Sequence, residues 1–246
     1  MKNLVLLHGW GLNAKVWSCI SSQLADHFNL YIIDLPGYGK NDCYTSLTLI
    51  QIAEIIVNQI PTKTLLLGWS LGGLVATQLA YLWPEKILGL IIVASSPCFC
   101  ATEEWPGISH KTLSNFYHQL NTNFIKAIND FISLQTINTH SAYRDACWLK
   151  QIIFSQQKLS VNILNIGLKL LFSSDLRHIL SKLDLPLLRM YGKLDMLVPV
   201  HTVPLIDKIC LSNYRSIIFE KAAHVPFLSH TELFCNELLL FNKLLN

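Results

Sequence analysis

The chain has 246 residues and a formal net charge of +3, with 51% hydrophobic and only 14% charged residues. This length suits one α/β domain with an insertion, and it allows a large buried core. The longest uncharged stretch, 64–83, contains Gly68, Ser70 and Gly72, which divide it into strand, turn and helix and favour buried core over the alternative of a bilayer span.

Strand and helix patterns alternate up to about residue 95. Strands are predicted at 4–7, 30–34, 64–67 and 87–94, and helices follow Asn13 and occupy about 47–60 and 71–82. Uniformly apolar strands alternating with amphipathic helices are typical of a parallel sheet covered on both faces. The first strand is too short for the apolar region of a signal peptide, so we expect a cytoplasmic protein.

The pattern changes at Pro97, after which apolar residues recur at helical spacing as far as about Leu183. We therefore predict an α/β core formed by 1–97 and 183–246, interrupted by an all-helical insertion, 98–182, which we call the lid. The lid contains eight basic and five acidic residues, so the excess positive charge of the chain lies there. It is either an ordinary solvated surface or a docking face for an acidic partner.

Strand patterns return after the lid at 187–191 and 216–219, with helices at about 201–209 and from 231 onward. The seven cysteines are scattered, and Cys98 and Cys100 lack the spacing of a metal knuckle. We expect reduced thiols and no metal site.

Ser70 is the candidate nucleophile, in the sequence Gly68-Trp69-Ser70-Leu71-Gly72 between a predicted strand and a predicted helix. So sharp a turn strains the backbone at the serine, and small flanking glycines permit it. The serine hydroxyl would then project at the carboxyl end of the sheet, where open α/β folds bind ligands. The five-residue pattern also occurs in unrelated proteins, and a serine here could merely cap the helix.

A serine hydroxyl needs a base to take its proton, and His224 is the candidate because it follows the last predicted strand. The alternatives, His201 and His230, lie near helix starts. Asp195 follows the preceding strand, where an acid would hold the histidine tautomer and stabilise the imidazolium. Asp207 is the alternative acid, although it lies within a predicted helix.

The loop His8-Gly9-Trp10-Gly11 after the first strand is a candidate for the oxyanion hole. One backbone N–H would come from Trp10 and the other from Leu71. We interpret His8 as structural, because one general base is enough, and Asp34 as a turn residue.

These motifs resemble the α/β-hydrolase superfamily, and further runs are similar to one family within it, the pimeloyl-[acyl-carrier protein] methyl ester carboxylesterases. The runs are Leu6–Ala14, Gly68–Ala76, Ala94–Phe99, Glu104–Ile108 and Lys221–His224. The third and fourth lie outside the generic catalytic motifs, which makes the resemblance more specific. It covers nearly the whole chain.

The resemblance implies an α/β-hydrolase fold and a serine carboxylesterase without a cofactor. Its reaction would be hydrolysis of the pimeloyl methyl ester on acyl-carrier protein in biotin synthesis, through an acyl-enzyme on Ser70. The implied triad is Ser70, Asp195 and His224. The implied substrate-binding residues are Trp10, Ser70, Leu71, Phe131, Ile132, Ser133, Leu134, Gln135 and His224.

The same family docks its acidic carrier protein on basic lid residues. In this chain Lys126 is basic where the family is basic, and Arg144 and Lys150 are further candidates. Three other positions where a basic residue is expected are occupied by Asp130, Tyr143 and Cys147. We expect a monomer with no nucleic-acid or membrane partner. The alternatives are a generic short-chain carboxylesterase or thioesterase, which would differ only in the lid, and a non-catalytic binding scaffold, which would usually lack a triad member.

Overall fold

The computed structural model describes residues 1–40, 47–155, 160–210 and 214–245. In these parts of the chain one six-stranded sheet has the order β2-β1-β3-β4-β5-β6, and every neighbouring pair is parallel. The strands are β1 (Lys2–Leu7), β2 (Phe28–Ile33), β3 (Thr64–Trp69), β4 (Ile87–Val93), β5 (Leu187–Gly192) and β6 (Tyr214–Phe219). Their carboxyl ends therefore share one edge of the sheet, where α/β folds bind ligands.

The α-helices of the described residues flank this sheet or form the lid. They are α1 (Ser18–Ala25), α2 (Leu49–Val57), α3 (Leu71–Leu82), α4 (His110–Thr122), α5 (Phe124–Thr136), α6 (Ala142–Phe154), α7 (Val161–Ser173), α8 (Arg177–Leu180), α9 (Thr202–Ile209), α10 (Pro226–Ser229) and α11 (Thr231–Leu244). Among the described residues no helix combines the length and apolar character needed to cross a membrane. The predicted α/β-hydrolase architecture, a parallel sheet flanked by helices, is confirmed.

Local sequence explains how two of the helices begin. Thr48 forms a capping box with Gln51, which satisfies free backbone N–H groups at the start of α2. Asn13 also accepts a backbone N–H, from Lys15, but it caps the short 3-10 helix Ala14–Trp17, and α1 begins only at Ser18. The single helix predicted after Asn13 is therefore two consecutive helical segments.

The core lies on both faces of the sheet. Every residue of β3 is buried, and so are Leu4–Leu7 of β1, because helices cover these central strands on both sides. This double covering is why the strands are uniformly apolar rather than alternating. Six cysteines with free thiols lie in the described parts of the chain, and Cys43 lies outside the described residues.

The predicted lid lies between β4 and β5, where the described residues form helices α4 to α8 and two isolated β-bridges. One bridge joins Cys98 to Asp175, and next to it the Leu176 N–H donates to the Pro97 carbonyl over 2.7 Å. The chain thus leaves and re-enters the core at neighbouring points. The bridges are a departure from a purely helical insertion, and the limits 98 and 182 stay a prediction.

Candidate active site

Ser70 occupies the turn between β3 and α3 with backbone angles φ 55° and ψ −118°. A positive φ is uncommon for a residue with a side chain, and such strain clusters at functional sites. Space around the turn is also restricted. A methyl group added to Gly68 would lie 2.5 Å from the Gly72 carbonyl carbon, and one added to Gly72 would lie 2.5 Å from the His8 carbonyl oxygen. The flanking glycines are therefore a steric requirement of this turn.

His224 and Asp195 form a buried pair, with 2.8 Å between histidine Nδ1 and carboxylate Oδ2. Asp195 lies in the turn after β5 and His224 in the loop after β6, so neighbouring strands bring them together at the carboxyl edge. The second carboxylate oxygen, Oδ1, accepts the backbone N–H groups of Leu197 at 2.8 Å and Val198 at 3.0 Å. Both oxygens of the acid are thus occupied, which fixes its orientation.

The backbone of His224 is held on both sides. Its N–H donates to the Gln135 carbonyl over 3.1 Å, and its carbonyl accepts the Trp69 indole N–H over 2.9 Å. Its ring atom Nε2 is buried and has no hydrogen-bond partner among the described residues. When Nδ1 donates to Asp195, the lone pair of Nε2 is available to take a proton from a serine.

The alternative acids and bases lie in other surroundings. Asp207 pairs with the buried Arg189, and Asp34 accepts the backbone N–H groups of Ala14 and Lys40 at the turn after β2. His201 is exposed at the start of α9, and His230 Nδ1 contacts the Ser229 hydroxyl at 2.9 Å. Asp207, Asp34 and His230 thus have contacts away from the His224–Asp195 pair, and His201 lies at the surface.

His8 is fully buried, and burial lowers its pKa from 6.5 to about 4. Its Nδ1 lies 2.8 Å from the Gly9 carbonyl, and its Nε2 accepts the Leu35 backbone N–H over 3.0 Å. A neutral ring with the proton on Nδ1 satisfies both contacts. His8 therefore supports the loop that carries Trp10.

Trp10 and Leu71 lie on the two segments that meet at the serine turn. The close approach of Gly72 to the His8 carbonyl places the 8–11 loop against the start of α3. Leu71 is the first residue of α3, so its N–H is one of the helix-terminal donors that lack an intrahelical acceptor. The Trp10 side chain faces the lid, where its indole N–H donates to the Leu164 carbonyl over 2.8 Å.

A mostly apolar cavity of about 310 Å³ lies between Ser70 and the lid. Besides Ser70, it is lined by Phe99, Ile108, Thr112, Leu113, Asn115, Phe116, Gln119, Asp130, Phe131, Leu134, Leu168, Leu171 and Leu197. The contributions of α4 and α7 were not predicted, because apolar spacing looks the same for a core-facing helix and a cavity-facing one. A larger surface groove, about 850 Å³, contains no triad residue among the described residues that line it.

The five residues of the predicted substrate-binding run on α5 have different surroundings. Phe131 and Leu134 line the cavity, but Ser133 is exposed and its hydroxyl donates to the Asn129 carbonyl. Ile132 and Gln135 are buried and do not belong to the cavity lining. Five consecutive helical residues cannot face one cavity, because successive side chains point about 100° apart around the axis.

The candidate docking residues differ in their surroundings. Lys126 is 61% exposed and pairs over 2.5 Å with Asp130, which also accepts the Gln119 amide. Arg144 is 71% exposed and pairs with the buried Asp145. Lys150 is half-buried on the same helix as Arg144, α6.

The family model for the alpha/beta hydrolase fold matches residues 2–231. The chain belongs to the α/β-hydrolase family. Among solved structures, this hydrolase is similar to an esterase from Exiguobacterium antarcticum, with a TM-score of 0.90, 22% identity and coverage of 99% of this chain and 92% of the other. A bromoperoxidase from Bacillus anthracis has a TM-score of 0.89 at 19% identity, covering 98% and 92%. At such identities the likeness concerns the fold alone.

Curated relatives are much closer in sequence to this hydrolase. A pimeloyl-[acyl-carrier protein] methyl ester esterase of Klebsiella pneumoniae (strain 342) is 49% identical, covering 96% of this chain and 92% of the relative. Proteins of the same name from Sodalis glossinidius and Serratia marcescens are 48% and 51% identical, covering 99% and 95% of this chain and 94% and 91% of their own. The resemblance to this esterase family is confirmed.

Proposed function

We propose that this hydrolase cleaves the methyl ester of a pimeloyl chain carried on acyl-carrier protein, as a cytoplasmic monomer acting in biotin synthesis. The observation that carries the proposal is the name shared by relatives about half identical over nearly the whole chain. The buried pair of His224 and Asp195 beside a strained serine turn supplies the chemistry.

The proposed reaction begins when Ser70 Oγ attacks the ester carbonyl and His224 Nε2 accepts the serine proton. Asp195 holds the resulting imidazolium through Nδ1. The backbone N–H groups of Trp10 and Leu71 stabilise the tetrahedral oxyanion. Collapse of this intermediate breaks the bond to the methoxy oxygen, and methanol leaves with the proton from His224.

Water completes the cycle by the same steps. His224 takes a proton from the water, whose oxygen attacks the acyl-enzyme carbonyl. The second tetrahedral intermediate breaks the bond to Ser70 Oγ, which recovers its proton from His224. The products are methanol and a free carboxylate on the carrier-bound chain, and no cofactor or metal enters any step.

The cavity supports an acyl substrate of modest length. Its volume of about 310 Å³ lies at the lower end of the range for small-molecule sites. Its apolar walls, among them Phe131, Leu134 and Leu168, suit a methylene chain, and polar groups such as Asn115 and Gln119 lie on the partly exposed face of α4. We propose Phe131 and Leu134 as the substrate-contacting residues of α5.

Carrier-protein docking is proposed on the basic residues Lys126, Arg144 and Lys150. Two of them present exposed cationic groups on neighbouring helices, α5 and α6. Exposed charges accelerate association with an oppositely charged partner more than they tighten the complex, and salt screens them. Replacing Lys126 and Arg144 with alanine should therefore raise KM for the carrier-bound ester at low salt and leave hydrolysis of a free ester unchanged.

Rescue of a biotin auxotroph that lacks its own esterase tests the proposal, with Ser70→Ala as the matched inactive variant. The wild-type gene should restore growth without biotin and the variant should not. In vitro, Ser70→Ala should also lose labelling by a fluorophosphonate. A wild-type protein that is active on p-nitrophenyl esters yet fails to rescue growth would indicate a generic carboxylesterase or thioesterase. Full labelling of Ser70→Ala would refute the nucleophile.

A further inference from the structure

Beside the strained serine turn the chain contains a second strained residue, at the end of the neighbouring strand β4. Ala94 has φ 42°, in the left-handed region that residues with a side chain rarely occupy. Its N–H donates to the Met190 carbonyl over 2.8 Å, which continues the pairing with β5 by one residue. The bend at Ala94 directs the next residue, Ser95, towards the serine turn.

Ser95 is buried, and its hydroxyl donates to the Ser70 carbonyl over 2.7 Å. The same carbonyl accepts the Gly73 N–H over 2.9 Å, and the Ser70 N–H donates to the Val93 carbonyl over 3.0 Å. A methyl group added at Gly73 would lie 2.5 Å from Ser95 Cβ and Oγ. Ser95 is therefore packed directly against the first turn of α3.

The Ser70 carbonyl and the Leu71 N–H belong to one peptide group. Because that group is planar and trans, its N–H points opposite to its carbonyl, and a contact that holds the carbonyl also fixes the direction of the N–H. A hydrogen bond to the carbonyl oxygen additionally polarises the group and strengthens its N–H as a donor. The Ser95 hydroxyl thus acts on the far end of the peptide that faces the reacting centre.

We propose that Ser95 is a positioning residue of the oxyanion hole, which aligns and polarises the Leu71 N–H through the Ser70–Leu71 peptide. The inference rests on Leu71 as an oxyanion donor, which is part of the proposed function. Gly73 holds the same carbonyl, so loss of Ser95 weakens the alignment without removing it. Ser95 is not among the residues that line the cavity, and its hydroxyl contacts the Ser70 carbonyl.

The test compares Ser95→Ala with Ser96→Ala. Ser96 is a matched control because it is equally buried and its hydroxyl also donates to a backbone carbonyl, that of Cys98 at 2.6 Å, away from the serine turn. With p-nitrophenyl butyrate, Ser95→Ala should lower kcat about 10-fold, less than the hundredfold or more that follows loss of a direct donor, with KM within twofold. Ser96→Ala should keep kcat within twofold.

A trifluoromethyl ketone supplies the readout that a purely structural role would not move. Its adduct with Ser70 places an oxyanion in the hole, so its inhibition constant should rise in Ser95→Ala by the same factor as kcat falls, while the pH midpoint of kcat stays unchanged. Ser95→Cys, which keeps a weak donor in nearly the same volume, should give intermediate values and serves if the alanine variant does not fold.

Two results would overturn the proposal. One is a kcat in Ser95→Ala within twofold of the wild type. The other is a fall in kcat with unchanged affinity for the trifluoromethyl ketone, which would show that the oxyanion hole is intact and that the lost rate comes from elsewhere. Neither assay uses a carrier protein, so an error in the proposed substrate would leave this test intact.

Discussion

The change Asp195→Asn removes one charge from the triad and keeps the shape of the side chain. Asp195 Oδ1 accepts two backbone N–H groups, at 2.8 and 3.0 Å, and Oδ2 lies 2.8 Å from His224 Nδ1. An asparagine must place its carbonyl oxygen at the Oδ1 position, because an NH₂ group there would face two donors. Its NH₂ group then faces His224.

The consequence is a change of tautomer. A donor opposite His224 Nδ1 forces that nitrogen to accept, so the ring proton moves to Nε2, the atom that must take the serine proton. We expect kcat for p-nitrophenyl butyrate to fall by about 10⁴, as for a triad held in the wrong tautomer. That factor corresponds to about 5.5 kcal/mol of activation free energy.

The assay is steady-state kinetics at pH 8, with circular dichroism to show that the variant is folded. Asp207→Asn is the control at the alternative acid: it weakens a contact to the buried Arg189 and should lower stability, but it should leave kcat within about threefold. An Asp195→Asn enzyme that retains more than a tenth of wild-type kcat would show that the tautomer argument is wrong.

Three further predictions concern space, pH and the cavity. Gly72→Ala should lower the free energy of unfolding, measured by urea titration, by about 3 kcal/mol or more, because the added methyl group would meet backbone atoms. The methyl group of Gly89→Ala would meet only side-chain carbons, at 3.2 Å, and should cost about 1 kcal/mol or less. Because the folded pKa of His8, about 4, lies below the ordinary 6.5, the unfolded chain binds more protons than the folded chain between these pH values. The free energy of unfolding should therefore fall by about 2 kcal/mol from pH 7 to pH 5, and His8→Asn should lose most of this pH dependence. A smaller dependence of the same sign should remain from His230, because burial lowers the pKa of that histidine too. Phe131→Ala should raise KM about tenfold for p-nitrophenyl hexanoate and less for the acetate, since a short acyl group makes little use of the cavity wall; equal effects on both esters would place Phe131 outside the acyl path.

Much of the core could be predicted because its signals are local. The helix expected at 71–82 is α3 with the same limits, and six expected strands are present with ends shifted by a few residues. The turn at Ser70 was predictable because glycines on both sides of a serine, between a strand and a helix, leave few other conformations. The change from a 3-10 helix to an α-helix after Asn13 could not be predicted, because packing decides whether the first turn is 3-10 or α-helical.

Contacts between segments that are distant in the chain could not be predicted from the sequence. The Ser95 hydroxyl reaches the Ser70 carbonyl only because β4 lies beside β3 and bends at Ala94, and a serine after an apolar strand carries no signal of that partner. The run at 131–135 shows the same limit on the lid. Resemblance to the esterase family indicated where this run lies in the chain. Which of its residues face the cavity depends on how α5 is rotated against the core.

This contrast separates two kinds of residue in the proposed enzyme. Ser70, Asp195 and His224 lie just after strand ends, and a parallel sheet brings such positions to one edge whatever the lid does. Residues such as Phe131 and Leu134 reach that edge only through the packing of lid helices against one another and against Trp10. Triad substitutions should therefore lower hydrolysis of every ester by a similar factor, since they act on the shared chemical step. Lid substitutions should change the ratio of rates between esters, and that ratio, rather than the absolute rate, is the measurement that reports on the choice of substrate.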